Sequence, residues 1–182
     1  SINGSSWTYT PTESLSDGSH VLSAVVVSAA GNQGTASASL NLVIDTLAPT
    51  APSFNAVAGD NVVNAAERSS SISGQAESLS SVTLNLGGVI KTVQANASGV
   101  WTYQLSANDL TEGAQTWSAT ATDAAGNTSG TGSRGITVDT QAPDAPVFST
   151  VSSDNAINAA ELATGVILSG TAEAGSKITL TL

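Results

Sequence analysis

The chain has 182 residues, of which 40% are hydrophobic but only 4% aromatic and 10% charged. Its core is therefore expected to be thin and built from small aliphatic side chains, which suits a narrow two-sheet sandwich better than a broad α/β enzyme. Fourteen acidic residues stand against four basic ones, a formal net charge of −10. This balance excludes nucleic acid and anionic membrane surfaces as natural partners, because both require clustered Lys and Arg.

We expect neither a membrane span nor a secretion signal within the given sequence. No apolar run approaches the ~20 residues that cross a bilayer, so we expect no membrane insertion. The first four residues, Ser1 to Gly4, lack the charged and apolar regions of a signal peptide. The absence of Cys is compatible with a cytosolic or an exported protein. We interpret the chain as a piece of a longer protein.

An internal repeat of 94 residues dominates the sequence. The segment IDTLAPTAPSFNAVAGDNVVNAAE, which starts at Ile44, returns at Val138 as VDTQAPDAPVFSTVSSDNAINAAE. Each unit runs from one DT-x-AP sequence to the next. We therefore expect residues 1–47 to form the C-terminal half of an immunoglobulin (Ig)-like repeat, residues 48–140 a complete repeat and residues 141–182 an N-terminal half. A unit of this length is typical of an Ig-sized domain and too long for a solenoid repeat.

Within the complete repeat, apolar and polar residues alternate, which predicts strands with one buried and one solvated face. Turn-forming Gly, Asn and Asp clusters separate these segments. Seven or so such strands predict an all-β fold of tandem Ig-like Greek-key β-sandwich repeats. Residues 64–69 are the only helix-like stretch, at most one turn. The clearest alternating segments are, in chain order, 82–86, 101–105, 117–122 and 136–138.

The motifs VDTQAPDAP, DNAINAAE, SGTAEAGSKITLTL, GVWTY and ATATDAAGNTSG, in this order, resemble the bacterial Ig-like repeats of giant surface adhesins. Those are RTX-type and biofilm-associated proteins secreted by Gram-negative bacteria. The resemblance covers the whole chain and implies an extender that projects a terminal binding region from the cell. It also implies Ca²⁺ at or near the domain junctions, where the ion stiffens the rod. One departure is Ser28, which stands where the complete repeat has Asp123, and this weakens any ion site in the first loop.

Several carboxylates are candidate Ca²⁺ ligands, because Ca²⁺ takes six to eight oxygen ligands from carboxylates, amides and main-chain carbonyls. The loop that begins at Asp60 and the matching loop at Asp154 each contain two Asn residues and a Glu. The strand ends and linkers add two further Asp residues, and the DAAGN loop adds one. The spacing differs from an EF-hand loop. The candidate metal ligands are Asp45, Asp60, Glu67, Asp123, Asp139, Asp154 and Glu161.

The same residues have a structural alternative. Asp and Asn start turns, and the sequence from Asn64 to Glu67 has the pattern of a helix capping box. The aromatic residues Trp101, Tyr103 and Trp117 occupy the inward phase of their strands, so we interpret them as core residues and not as a sugar-stacking platform. The single His20 has no Cys partner and no triad pattern around it, and we expect no enzymatic activity.

These observations predict a structural spacer of a secreted bacterial cell-surface adhesin, which supports adhesion or biofilm formation. The partners expected are neighbouring Ig-like repeats, and the sequence identifies no host or surface receptor. Two alternatives stay open: a module that binds a glycan or protein, and an accessory domain of an extracellular enzyme.

The two half-repeats raise a separate expectation. Half a sandwich exposes its core face and open strand edges. We therefore expect residues 141–182 of one chain to meet residues 1–47 of another copy, head to tail, or the same halves to meet adjoining sequence in a longer chain.

Overall fold

The computed structural model describes residues 2–3, 6–152 and 154–181, with side chains from residue 6 onward. Within this part of the chain, no helix is both long and apolar enough to cross a bilayer. The strands are β1 (Ile2–Asn3), β2 (Ser6–Trp7), β3 (Gly18–Leu22), β4 (Leu40–Ile44), β5 (Ser53–Phe54), β6 (Val62–Asn64), β7 (Ser71–Gln75), β8 (Ser81–Leu86), β9 (Val89–Gln94), β10 (Val100–Gln104), β11 (Gly113–Thr122), β12 (Gly132–Asp139), β13 (Val147–Phe148) and β14 (Gly170–Thr171). The helices are a 3₁₀ turn over Ala107–Asp109 and α1 (Ala159–Thr164).

Residues 48–140, which we call the central sandwich, contain two packed sheets. One sheet has the strand order β10-β7-β5 and the other β6-β12-β11-β8-β9. The chain changes sheet between β5 and β6, and β6 then joins β12 in parallel. Hairpins and crossovers between the two sheets give the Greek-key arrangement that the alternating strand segments predict.

The core of the central sandwich lies on the strand faces that the alternation of apolar and polar residues predicts. Val82, Leu84 and Leu86 of β8 are fully buried, and the residues between them are half-buried. Trp101 and Trp117 are also fully buried, so their interpretation as core residues is confirmed. Neither indole is available as a surface for stacking sugars.

One close contact within the three-stranded sheet depends on a glycine. The Phe54 ring meets the Trp101 indole edge-on, with centroids 5.1 Å apart. Gly74 lies between β5 and β10 and pairs with both of these aromatic residues. A Cβ atom added at Gly74 would stand 2.6 Å from the indole and would also collide with the main-chain oxygen of Ser53. The indole therefore occupies the space that a side chain at this position would need.

The helix-like stretch predicted at residues 64–69 forms the end of a strand and a series of turns. Asn64 belongs to β6 and pairs with Asp139 of β12, and residues 65–69 form turns. The matching stretch in the third segment forms α1, which Asn158 and Glu161 cap with a complete capping box. Asn158 is extended like Asn64, as is usual for a residue that caps a helix, so the two stretches differ only after this position. The 3₁₀ turn at Ala107–Asp109 was not predicted.

That turn buries a carboxylate. Asp109 is fully buried, and its Oδ2 accepts hydrogen bonds of 2.8 Å from the Tyr103 hydroxyl and from both the amide and hydroxyl of Ser106. The Lys91 ammonium lies 2.9 Å from Oδ1. Burial alone would raise the pKa of Asp109, but the hydrogen bonds from Lys91, Ser106 and Tyr103 outweigh it and lower the pKa to about 2.

The glycine contact predicts the effect of one methyl group. Gly74→Ala should destabilise the central sandwich by roughly 1–3 kcal/mol, because the Cβ overpacks the core. Gly135→Ala is the matched control, since it also adds Cβ to a strand glycine but meets nothing within 4 Å. Denaturant unfolding followed by near-ultraviolet circular dichroism measures both. Equal midpoints for the two variants would contradict the assigned contact.

The depressed pKa of Asp109 predicts a pH dependence. A carboxyl group whose pKa is lower in the folded state stabilises the fold above its unfolded pKa, and that contribution is lost as pH falls through the folded pKa. Asp109→Asn should therefore cost about 2 kcal/mol at pH 7, with the difference from the parent shrinking between about pH 4 and pH 2. Asp144→Asn, in an exposed segment, should track the parent. A constant Asp109→Asn penalty across that range would refute the role of the charge.

Candidate functional site

Each of the two DT-x-AP linkers is held by a carboxylate that lies directly before a strand of the preceding repeat. The carboxylate of Asp17 accepts the Thr46 amide at 3.2 Å and the Thr46 hydroxyl at 3.0 and 3.2 Å. Glu112 accepts the Thr140 amide at 3.1 and 3.3 Å and also the Thr140 hydroxyl. We call each pair a linker clamp. Since the same clamp occurs in both repeats, it is a feature of the unit and not of one loop.

The clamp affects the ionisation of Glu112. The hydrogen bonds from the side chain and the amide of Thr140 hold the pKa of Glu112 below its ordinary value. The sequence pattern did not single out this carboxylate. The available signal was the acid–Gly pair at Asp17–Gly18, which returns as Glu112–Gly113 at the start of the equivalent strand.

A second contact ties the first linker to the central sandwich. Asp45, a predicted metal ligand, uses Oδ1 to accept the Leu47 amide at 3.1 Å, which turns the chain into the linker. Its main-chain oxygen accepts a hydrogen bond of 3.1 Å from Nδ2 of Asn127 in the DAAGN loop. The linker prolines Pro49 and Pro52 are buried. The first junction is therefore fixed from both sides.

Asp123, also predicted as a metal ligand, organises the DAAGN loop. Its Oδ1 accepts the amides of Ala125, Gly126 and Asn127 at 2.7–2.9 Å, and its Oδ2 accepts Nδ2 of Asn127 at 2.8 Å. The pKa of Asp123 is lowered, first by the hydrogen bond from the Asn127 side chain. The Asn127 amide thus lies between the Asp123 carboxylate and the Asp45 carbonyl, in a contact that joins consecutive repeats.

Ser28 replaces Asp123 in the first loop and keeps only part of this network. Its hydroxyl accepts the Asn32 amide at 3.1 Å, and its main chain exchanges hydrogen bonds with Asn32 and Gly31. The turn is therefore retained, but the carboxylate is absent.

The predicted ligands of the first Asn-rich loop act as turn and cap acceptors. Asp60 accepts the Val62 amide at 2.9 Å, and Glu67 accepts the Asn64 amide at 3.2 Å. The guanidinium of Arg134 lies 3.2 Å from Oδ1 of Asn61, which places a positive charge in this loop. A guanidinium in that position disfavours a bound dication. The calcium prediction for Asp60 and Glu67 stays a prediction.

The third segment repeats this pattern. Asp154 accepts the Ala156 amide and the Ser152 hydroxyl at 3.0 Å, and these bonds lower its pKa. Glu161 accepts the Asn158 amide at 2.9 Å in the capping box of α1. These contacts are those of the turn-and-cap alternative. They neither include nor test a metal ion.

The strand pairing separates the candidates into two poles of the central sandwich. Asp139 ends β12 beside Asn64, and Thr140 follows it into the second clamp. Asp123 follows the opposite end of β11, because β11 runs antiparallel to β12. Across the residues that the structure describes, no three His, Cys, Asp or Glu side chains are close enough to hold a metal ion together. Any Ca²⁺ site there must therefore use neutral oxygen ligands as well.

The second clamp predicts a local change in amide exchange. Glu112→Ala should raise the hydrogen-exchange rate of peptides that contain Thr140 roughly fivefold, because the amide loses its acceptor. Glu112→Gln, which keeps one acceptor oxygen, should fall between this variant and the parent. Glu77→Ala removes another exposed carboxylate and should leave exchange unchanged. Unchanged protection in Glu112→Ala would show that the clamp does not hold the linker.

A family model described as the bacterial Ig-like domain matches residues 2–46 and 53–140. A Ca²⁺-stabilized adhesin with which an Antarctic bacterium binds ice is 33% identical, over 85% of this chain and 40% of that one, with a TM-score of 0.43. A bacterial immunoglobulin-like domain from the M. primoryensis ice-binding adhesin is also 33% identical, over 51% of this chain and 100% of that one, with a TM-score of 0.41.

A tetra-tandem repeat from the extending region of a large adhesion protein is 23% identical, over 75% of this chain and 35% of that one, with a TM-score of 0.45. The chain thus spans less than half the length of the first of these structures. No curated protein sequence matches it. The predicted resemblance and fold class are confirmed by the family match, which covers well over half of the residues. The chain belongs to the bacterial Ig-like domain family.

Proposed function

We propose that the chain is a non-enzymatic extender segment of a secreted bacterial cell-surface adhesin, in which Ca²⁺ at the domain junction stiffens a rod of consecutive sandwiches. The observation that carries the proposal is the first junction, where the linker is held by Asp17 on one side and by Asn127 on the other. A linker fixed at both ends transmits the orientation of one domain to the next, which is what a spacer requires.

The oxygen-bearing groups at this junction suit Ca²⁺ as ligands. The amide of Asn127 donates both to the Asp123 carboxylate and to the Asp45 carbonyl. Half a turn of this amide about its Cβ–Cγ bond exchanges Nδ2 for Oδ1, and three oxygen atoms from two repeats then converge. Carboxylate, amide and main-chain oxygens are the ligands that Ca²⁺ prefers, with water completing its six to eight positions. A cation there would also offset part of the net charge of −10.

Adhesion and biofilm support follow as the role of the parent protein. The similar structures come from adhesins, one of which is Ca²⁺-stabilized and another of which provides an extending region. Both buried tryptophans belong to the core of the central sandwich and leave no aromatic platform there for a glycan. The proposal therefore assigns ligand recognition to other parts of the adhesin.

Paired substitutions test the calcium site. Asp123→Ala should weaken Ca²⁺ binding at least about tenfold, because it removes the charged ligand. Asn127→Asp should act in the opposite way. Without Ca²⁺ it should lower stability, since two carboxylates then face each other, and with Ca²⁺ it should bind more tightly. Calorimetric titration and thermal unfolding of the full chain, with and without chelator, measure both effects.

Glu77→Ala serves as the charge-matched control and should titrate like the parent. Asp60→Ala distinguishes the junction from the Asn-rich loop, and the proposal expects no change in affinity there. Loss of Ca²⁺ binding in Asp60→Ala with normal binding in Asp123→Ala would place the site in the Asn-rich loop and contradict the junction site. Identical melting curves and X-ray scattering profiles with Ca²⁺ and with chelator would refute the stiffening role.

A further inference from the structure

The linker that enters the central sandwich continues directly into a segment with few attachments. We call residues 52–61, which comprise β5 and the loop that leads to β6, the entry strap. β5 has two residues and pairs on one side, with β7. The strap contributes Phe54 and Val57 to the buried cluster, whereas the other members, including both buried tryptophans, belong to residues 62–140. Most of the core therefore lies outside the strap.

The loop of the strap has a strained backbone that local hydrogen bonds maintain. Ala58 and Asn61 have φ angles of 52° and 67°, in the left-handed region that residues with a side chain rarely adopt. Oδ1 of Asn61 accepts the Val57 amide at 3.2 Å, and the Asn61 amide donates to the Val57 carbonyl oxygen at 2.7 Å. Asn155 and Val151 make the same two bonds in the third segment. The loop therefore keeps its shape through local contacts, and separate contacts attach it to the sheets.

Arg134 of β12 attaches the strap near its start and at its end. This residue pairs with the buried Trp117 and so projects toward the inside of the sandwich, because directly paired residues share a face of the sheet. Its Nη2 donates to the Phe54 carbonyl oxygen at 2.6 Å, and its Nη1 donates to Oδ1 of Asn61 at 3.2 Å. One guanidinium thus holds both the end of β5 and the end of the loop.

The position of Arg134 is unfavourable for a cation in other respects. Within the part of the chain that the structure describes, this guanidinium has no carboxylate partner, and its Nε is buried without a hydrogen-bond partner. Burial of a charge without an opposite charge destabilises a fold. The first repeat has Leu40 at the corresponding position, and a leucine there avoids that penalty. What Arg134 adds to the domain is therefore its attachment to the strap.

A glycine brings the start of the strap onto the same strand. A Cβ atom added at Gly132 of β12 would collide with the carbonyl oxygen of Pro52, which is a buried residue. At the other end of the strap, the Asn61 carbonyl oxygen accepts the Thr137 amide at 3.0 Å. Since β5 pairs with β7 while both ends of the strap contact β12, the strap closes one edge between the two sheets.

We propose that the entry strap opens as a unit while residues 62–140 stay folded, and that Arg134 is the positioning residue that keeps it closed. Because the strap continues the entry linker, its closed state fixes the linker to the central sandwich. An open strap adds ten residues to the linker, a tether of at most about 35 Å, and loosens the junction with no change at its carboxylates. This effect on the junction rests on the proposed spacer function, whereas the opening itself does not.

Thiol labelling measures the opening directly, because the chain has no Cys of its own. Val57→Cys and Val63→Cys place the same substitution just inside and just outside the strap, at sites that are 1% and 0% exposed. In the full chain, Val57→Cys should react with an uncharged disulfide reagent at least about tenfold faster, because strap opening alone uncovers it. Val63→Cys requires the unfolding of the rest of the sandwich. Chelator is present throughout, so the result is independent of the calcium proposal.

Substitution of Arg134 then tests its role in each of the two Cys backgrounds. Arg134→Leu should raise the labelling rate of Val57→Cys roughly tenfold, since a charged donor makes the stronger kind of hydrogen bond, and should leave Val63→Cys unchanged. Arg134→Lys keeps the charge but lacks the fork that reaches two acceptors, so it should fall between Arg134→Leu and the parent. Arg68→Leu, which removes an exposed arginine outside the strap, is the control and should change neither rate.

A second variant reaches the strap without altering a charge. Gly132→Ala should also accelerate the labelling of Val57→Cys alone, whereas Gly135→Ala on the same strand meets nothing within 4 Å and should not. The near-ultraviolet spectrum of the buried tryptophans reports whether each variant is folded. Equal labelling of the two Cys sites in the parent would overturn the proposal, because the strap would then open only with the whole domain. Equal acceleration of both sites by Arg134→Leu, or no acceleration of Val57→Cys, would also overturn it.

Discussion

Neither sheet of this fold can bury its inner face alone, and the central sandwich shows what the second sheet supplies. In the three-stranded sheet, the Trp101 indole meets the Phe54 ring edge-on over Gly74. The five-stranded sheet supplies the other side of the buried cluster, with Leu84 and Trp117 among its members. With aromatic residues making up only 4% of the chain, such contacts contribute a large share of a core that is otherwise built from small aliphatic side chains. The half-repeats contain the same side chains without this contact, and they expose them. Cross-sheet packing, more than local strand propensity, thus decides which parts of the chain are fully formed.

Much of the fold could be predicted from the sequence because its causes are local. Alternation along Val82–Leu86 sets the buried face of β8, and the 94-residue repeat sets the domain length. The parallel pairing of β6 with β12 and the burial of Asp109 could not be predicted in this way. Both depend on partners far apart in the chain, such as Lys91 for Asp109. The alternation of apolar and polar residues does not show which carboxylate in a turn will contact a hydroxyl and an ammonium group.

The candidate site was likewise predicted only in part from the sequence. The sequence picked out Asp45 and Asp123, and the structure brings their repeats together through Asn127. It missed the clamps of Asp17 on Thr46 and Glu112 on Thr140, because an acid–Gly pair before a strand has the composition of an ordinary turn. Asn127 was missed as well, since Asn is abundant in every loop here. At both junctions the carboxylates accept hydrogen bonds from amides and hydroxyls, and these contacts stabilise their negative charge where several acidic residues lie close to a linker.

The parallel pair of β6 and β12 has a mechanical consequence. β5 and then β6 follow the linker that enters the central sandwich, and β12 leads directly into the linker that leaves it at the other pole. Once β5 has separated from β7, tension applied through the two linkers pulls β6 and β12 in opposite directions along their own length. The hydrogen bonds between them are loaded together, in shear, and must break almost at once instead of opening one after another from an end. Resistance to stretching thus comes from a pair only three residues long, Val62 to Asn64 against Thr137 to Asp139.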